Sequence, residues 1–333
     1  MTFRQIARRP EIKILCSIAL LLIASRFLNW RDLTNAALRL DPWRLAVALM
    51  AALAVLIFSA VRWAVMASQL APGVFVRHAR NYLLGIFIGI VTPANIGADL
   101  YRFGSFRGTG SNWDIVSLLI QEKVFILLGY LVSIILLLLA VALAGLTLTG
   151  RQEALLMGIG ISATAGTTLI FALHPLIAVA ERMRLFSGRP AQLLSGLQGV
   201  VSLGPANRCL VLIGLSLLSV SAWLCAVSTI AANFGETLPF LLLWLIAILA
   251  DVVRWMPLSL QGIGVREAAF ATMFLFCGAN SAEGFVIGGT AYLLLTAAMV
   301  LAGVLALGVD LLESVRRPAI RKLPESDEGP TCP

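Results

Sequence analysis

PLSLQGIGVREAAF, residues 257–270, breaks a hydrophobic run with Pro257, Gly262, Gly264 and an adjacent Arg266–Glu267. Upstream, Leu238 to Trp255 is apolar apart from Asp251 and Arg254; downstream, Ala268 to Cys277 is apolar again. A soluble loop has more polar flanks, and a plain membrane helix does not carry this many breakers and charges. The reading is a backbone break at membrane depth, tolerated only where protein buries it or it lines a wet cavity.

The charges give that reading a magnitude. Asp99, Arg102, Glu122, Lys123, Asp251, Arg254, Arg266 and Glu267 all sit in or beside apolar runs. Each costs about 2.5–3.5 kcal/mol at the centre of a lipid-facing helix, and together they would cost on the order of 20 kcal/mol. A typical domain is held together by only about 5–15 kcal/mol. These side chains are therefore expected to face inward, to pair, or to lie at an interface, and an inward charged cluster at a helix break marks a candidate site.

Composition places the chain in a membrane. It is 59% hydrophobic and 13% charged, against about 25% charged for soluble domains, and several apolar runs reach the roughly 18–20 residues that cross a bilayer. The 333 residues leave no room for a sizeable soluble domain beside the membrane part. The net charge of +8 does not indicate a nucleic-acid partner. Lys and Arg cluster in the short segments between apolar runs, as topology requires. Cys16, Cys209, Cys225 and Cys277 lie in or at the edge of apolar runs, Cys332 is in the tail, and no C-x-x-C occurs. No disulfide, metal or other cofactor is expected. Arg4, Arg8, Arg9 and Lys13 precede Ile14 to Ala24 in the manner of a signal peptide, but no small-x-small cleavage site follows. An uncleaved first helix is expected.

Along the chain, Ile12 to Leu28 reads as the first span and Asn29 to Arg44 as a loop, with Asp41-Pro42 starting the next helix and Trp43 anchoring it at the interface. Trp43 to Ser68 spans, with Arg62 near its end in a position to snorkel. After the basic Arg77–Arg80 junction, Asn81 to Val91 is too short to cross and runs into the break at Pro93 and Gly97, followed by Asp99 and Arg102. Trp113 to Leu146 is too long for one straight span, and a bend is expected around Gln121 to Lys123. Ala154 to Leu173 is a span rich in small residues, which permit close helix approach in lipid. His174 to Arg208 carries apolar residues at helical spacing (Leu176 to Phe186), as an interfacial helix would. Cys209 to Asn233 spans; Glu283 to Leu312 holds the last span.

The expected architecture is all-α: a polytopic membrane protein of about six full spans plus two re-entrant broken-helix hairpins. A single membrane domain covers 1–315, with pseudo-repeat halves near 81–146 and 238–312, and 316–333 forms a basic then polar tail. The basic segments place both termini in the cytoplasm of a plasma (inner) membrane protein. The two hairpins then open from opposite sides, as in inverted repeats. The interval from Pro93 to Arg102 equals that from Pro257 to Arg266, with Gly97 and Gly262 between. Arg31, Arg39 and Arg44 run against this orientation, offset only by Asp32 and Asp41.

Three motifs carry a resemblance. TPANIGADLYRF is similar to a P-x-x-I-G-G-D-x-x-R pattern at Pro93, Ile96, Gly97, Asp99 and Arg102; SLLIQEKVFILLG is similar to S-x-x-x-D-R before an apolar helix; LQGIGVREAAF is similar to N-G-I-G-V-R-E-x-A-F at Gly262 to Glu267. These patterns resemble those of the lysylphosphatidylglycerol synthase transmembrane region, a flippase-like integral membrane family. The chain departs from them at Ala98 for glycine, Gln261 for asparagine, and Glu122-Lys123 for Asp-Arg, where lysine lacks arginine's planar fork. Bifunctional members of that family add a soluble aminoacyl-transferase domain; these residues contain none, so lipid aminoacylation is not expected. The resemblance implies the translocation half: movement of a lipid or lipid-linked headgroup between leaflets.

The candidate substrate-binding residues are Arg102, Arg266, Asp99, Glu267, Glu122 and Lys123, with Pro93, Gly97, Pro257, Gly262 and Gly264 shaping the breaks. Arginine at a broken helix offers a charge-assisted fork beside free N–H groups, which suits an anionic lipid headgroup; a structural ion pair is the alternative. Asp99, Glu122 and Glu267 read as counter-ions ahead of proton sites. Glu122 and Lys123, being adjacent, are expected to point apart and to need other partners, and Asp251 and Arg254 at i, i+3 to pair locally. His78 and His174 stand apart from other ligand types. No nucleophile–base spacing or P-loop is present, so enzyme activity is not expected. The competing function is a membrane enzyme modifying a lipid or lipid-linked sugar, with Asp99 and Glu267 as acid and base. A third is an accessory subunit whose charges serve partner helices.

Overall fold

The computed structural model describes residues 30–72, 75–90, 92, 96–106, 112–144, 150, 158–161, 164–165, 168, 205–235, 238–253 and 263–316. All regular structure among them is helical. In chain order the principal helices are α1 (Trp30–Leu38), α2 (Pro42–Leu70), α3 (Phe75–Gly89), α4 (Ile96–Ser105), α5 (Asn112–Ala144), α6 (Ala206–Ala231), α7 (Phe240–Val253), α8 (Val265–Phe276) and α9 (Ser281–Arg316). The expected first span, most of Ala154 to Leu173, the interfacial helix, the tail, and Pro93, Pro257 and Gly262 lie outside the described residues.

Length divides the helices into two kinds. α2, α5, α6 and α9 run 29, 33, 26 and 36 residues and are apolar enough to cross a membrane. At about 1.5 Å per residue each exceeds the roughly 30 Å hydrocarbon core. α3, α4, α7 and α8 run 15, 10, 14 and 12 residues, and each falls short of that thickness by the same measure. The order of two short helices followed by a long one occurs twice, as α3–α4–α5 and α7–α8–α9. Large apolar side chains such as Ile57, Leu139, Leu218, Leu293 and Leu305 are exposed on the long helices, as lipid-facing surfaces require.

α2 is the packing hub. Asp41 caps it by accepting the Trp43 N–H, and Pro42 opens the first turn, where its missing N–H costs nothing. Ala48, Ala52, Leu56, Ala60, Trp63 and Ala67 form its buried stripe. The small members let α6 approach, and α3, α5 and α9 pack around the same helix. α8 lies on α9 through a comparable device: a Cβ at Gly288 would stand 2.8 Å from the Phe270 ring, and one at Gly284 2.6 Å from Phe274.

Three expectations are corrected. The Asn29–Arg44 segment contains α1 instead of being a loop throughout. α5 passes through Gln121–Lys123 as one uninterrupted helix. No glycine or proline weakens it there, and the Glu122 charge is met by a tertiary partner. Arg62 does not snorkel; it is 2% exposed, with its Nη1 donating to Ser216 Oγ on α6 at 3.1 Å.

Candidate functional site

α4 begins beside Thr92, whose Oγ1 accepts the Gly97 N–H at 2.9 Å. A Cβ at Gly97 would lie 2.6 Å from the Thr92 methyl, so glycine is what lets this start close up. One turn on, Asp99 and Arg102 share a helix face. Arg102 is buried at 1% exposure, and each of its nitrogens has an acceptor. Nε donates to Ala98 O at 3.2 Å, Nη1 to Glu122 Oε2 on α5 at 2.5 Å, and Nη2 to Asp99 Oδ1. Its Cζ lies 4.8 Å from the Trp63 ring centroid and 5.2 Å from that of Tyr82. The guanidinium is thus neutralised at its edge and covered at its faces by aromatic rings, which attract cations.

Lys123 completes the cluster. Its Nζ is 3.3 Å from Asp99 Oδ1 and 3.8 Å from Glu122 Oε2. The expectation that adjacent Glu122 and Lys123 cannot meet is therefore corrected: the flexible lysine stem folds back far enough for a long contact. The Arg102 and Glu122 side chains are each 2% exposed, whereas those of Asp99 and Lys123 are 34% and 40% exposed. The cluster has an inner pair and an accessible outer pair.

The second break builds a different arrangement. Gly264 opens α8 at φ +84°, a conformation that side chains with a Cβ rarely adopt. Glu267, three residues on, accepts the Gly264 N–H at 2.7 Å. It thereby serves as a helix cap, satisfying a donor that the helix start leaves free. Arg266 is buried, with Cζ 4.1 Å over the Tyr292 ring of α9. Tyr292 also packs on Trp223 at 4.8 Å and donates its hydroxyl to Asp251 Oδ1 at 3.5 Å. Asp251, buried on α7, accepts the Tyr130 hydroxyl of α5 as well. Its expected partner Arg254 lies outside the described residues.

The candidate residues thus fall into two groups. Asp99, Arg102, Glu122 and Lys123 come together; Arg266 and Glu267 belong to the second group with Asp251, Tyr130 and Tyr292. α5 serves both, through Glu122 and Tyr130, which lie about 12 Å apart along its axis at the usual helical rise. Sequence reasoning missed Arg62, Trp63, Tyr82, Tyr130 and Tyr292. One signal pointed to two of them. The chain holds only four tyrosines, and Tyr130 and Tyr292 stand inside apolar stretches instead of at their ends, where interfacial tyrosines gather; Tyr82, next to the basic junction, gave no such signal. His78 is accounted for by packing: Nε2 donates to Ala71 O at 2.9 Å and the ring stacks on Phe106.

Residues 11–309 match the family described as the Lysylphosphatidylglycerol synthase TM region. None of the curated proteins compared matches the chain. With nine-tenths of its length matched, all three motifs in the matched range and, among the described residues, four helices long and apolar enough to cross a membrane, the chain is a multi-pass membrane protein and belongs to the lysylphosphatidylglycerol synthase transmembrane-region family.

Proposed function

We propose that this family member moves an anionic lipid, or a lipid-linked headgroup, between the leaflets of the plasma membrane. In this reading α3–α4 and α7–α8 are two re-entrant hairpins, related as inverted repeats, that bring the two clusters into the membrane interior. The observation that carries it is the Arg102 cluster: Asp99 and Arg102 on a helix too short to cross meet Glu122 and Lys123 of α5, with the Arg102 guanidinium covered by Trp63 and Tyr82. Burying such groups costs several kcal/mol each unless every partner is in place, so their presence at membrane depth calls for a role that apolar packing cannot fill.

The geometry supports a sequence of exchanges. The accessible Asp99–Lys123 pair meets an incoming headgroup first. Its phosphate competes with the carboxylates for the cations, while Arg102 stays paired with Glu122 when no headgroup is bound. Arg266, held over Tyr292 at the second break, offers a cation to the same headgroup later on its path.

Reconstitution into vesicles with labelled phosphatidylglycerol in one leaflet tests this. The protein is expected to equilibrate the label between leaflets faster than empty vesicles, and Arg102→Ala and Arg266→Ala to slow it. Label that stays in its starting leaflet under any driving force overturns the reading. A lipid mass profile of cells lacking the protein separates the enzyme alternative: a lipid product that disappears favours modification, one present but in the wrong leaflet favours transport.

A further inference from the structure

Arg62 is the charge that neither the motifs nor the ion pairs absorb. It sits on α2, 2% exposed, and no carboxylate lies in ion-pair contact with it among the described residues. Its Nη1 donates to Ser216 Oγ, and its Nε has no hydrogen-bond partner among them. Two further hydroxyls stand on the same helix pair, Ser59 and Ser219, 3.1 Å from each other. The charge nevertheless stands beside the first cluster: Trp63, its neighbour in sequence, is the ring that covers Arg102.

The sum of the cluster follows. Arg62, Arg102 and Lys123 are three positive charges; Asp99 and Glu122 are two negative ones. Arg102 and Lys123 are met by Asp99 and Glu122 in ion pairs, so one positive charge is left over, and it resides on Arg62, which is 2% exposed and whose Nε lacks a hydrogen-bond partner among the described residues. A buried cation held only by a neutral hydroxyl is costly, and a single added negative charge removes the excess. A zwitterionic headgroup, which brings no net charge, does not.

From this we infer that Arg62, with the serine hydroxyls of α2 and α6 beside it, is the anchor for one monoanionic phosphodiester, the headgroup linkage of a singly charged phospholipid. The inference rests on the transport reading for its physiological meaning and deepens it by naming the substrate's charge. Arg102 then acts as the fixed partner of Glu122, and Arg62 as the group that waits for substrate.

The test is binding, kept separate from transport. Purified full-length protein in neutral detergent is mixed with equal amounts of phosphatidylglycerol and phosphatidylethanolamine, and retained lipid is quantified by native mass spectrometry. The wild type is expected to retain phosphatidylglycerol about tenfold or more over phosphatidylethanolamine, as the loss of one charge-assisted hydrogen-bonded pair would predict. Arg62→Gln is expected to abolish that preference, and Arg62→Lys to keep part of it. Should Arg62→Gln fail to fold, Ser216→Ala, which removes the hydroxyl that positions the guanidinium, is expected to weaken it. Equal retention of both lipids by the wild type, or an undiminished preference in folded Arg62→Gln, overturns the inference. A thermal shift with inorganic phosphate as large as that with phosphatidylglycerol overturns the lipid assignment. Vesicles in which folded Arg62→Gln equilibrates phosphatidylglycerol as fast as the wild type would sink this inference and leave the transport reading standing. Selective binding without any translocation would do the reverse.

Discussion

At Glu122, one carboxylate oxygen lies 2.5 Å from Arg102 Nη1, in a region where neither side chain reaches the surface. Removing one member of such a pair leaves the other as an uncompensated buried charge, whereas replacing both with apolar groups is often neutral. Glu122→Ala is therefore expected to destabilise the protein by about 3–5 kcal/mol, read as a lowered unfolding midpoint in detergent. The double variant Arg102→Met/Glu122→Met should recover most of that loss, because Asp99 and Lys123 still neutralise each other at 3.3 Å. Recovered stability without recovered lipid movement would show that the pair serves transport and not folding. No recovery would mean the pair is needed for folding itself. Asp99, Arg102, Glu122 and Lys123 were legible in the sequence because charge in an apolar run is conspicuous. Arg62 was equally conspicuous but was misread, since eight residues from a helix end a snorkelling route looks open; only the packing of α6 closes it.

The start of α8 draws on two local features that sequence alone can name but not join. Gly264 supplies the positive φ, and the Glu267 carboxylate returns to its N–H at 2.7 Å. Gly264→Ala forces a Cβ into a strained backbone region at a cost of about 1–3 kcal/mol. Glu267→Gln keeps the shape and weakens the cap, costing roughly 1 kcal/mol. Both are measured by chemical or thermal unfolding. If Glu267 serves only as a cap, Glu267→Gln should leave lipid movement near wild type once stability is matched by lowering the temperature; a selective loss of transport would assign it a second role at the headgroup. The breakers announced that a helix begins here, and the short α7 and α8 followed from them. The continuity of α5 did not follow from length. A 33-residue apolar helix can tilt instead of bending, and what sets its course is packing against α2, α6 and α7.

Ion pairs and hydrogen bonds between helix ends sort the whole molecule into two faces. Arg80 on α3 pairs with Asp310 at 3.1 Å and Glu313 at 2.8 Å near the end of α9. The His78 ring, also at the start of α3, stacks on Phe106, just past the end of α4. These contacts gather the α3 entry, the α4 exit and the α9 terminus. On the other face, Arg39 reaches Glu283 at the start of α9 at 3.3 Å; Asn233, past the end of α6, accepts the Asp41 N–H; and Arg44 donates to Ala232 O. The α3 entry and the α4 exit thus lie at one end of the bundle, as the proposed re-entrant hairpin requires. The arginines of α1 and α2 that opposed the positive-inside assignment are in part matched here by Glu283 and by backbone carbonyls, so their weight against it is reduced. Cysteine labelling checks this, in a background with the five native cysteines replaced. Val76 and Leu38 are exposed, and Gly104 has open space where a Cβ would project. Val76→Cys and Gly104→Cys are expected to react with an impermeant maleimide only after the cells are opened, and Leu38→Cys in intact cells. If Gly104→Cys instead labels from the same side as Leu38→Cys, α3 and α4 traverse the bilayer between them. The re-entrant placement of the Arg102 cluster, and the transport route built on it, would then be wrong.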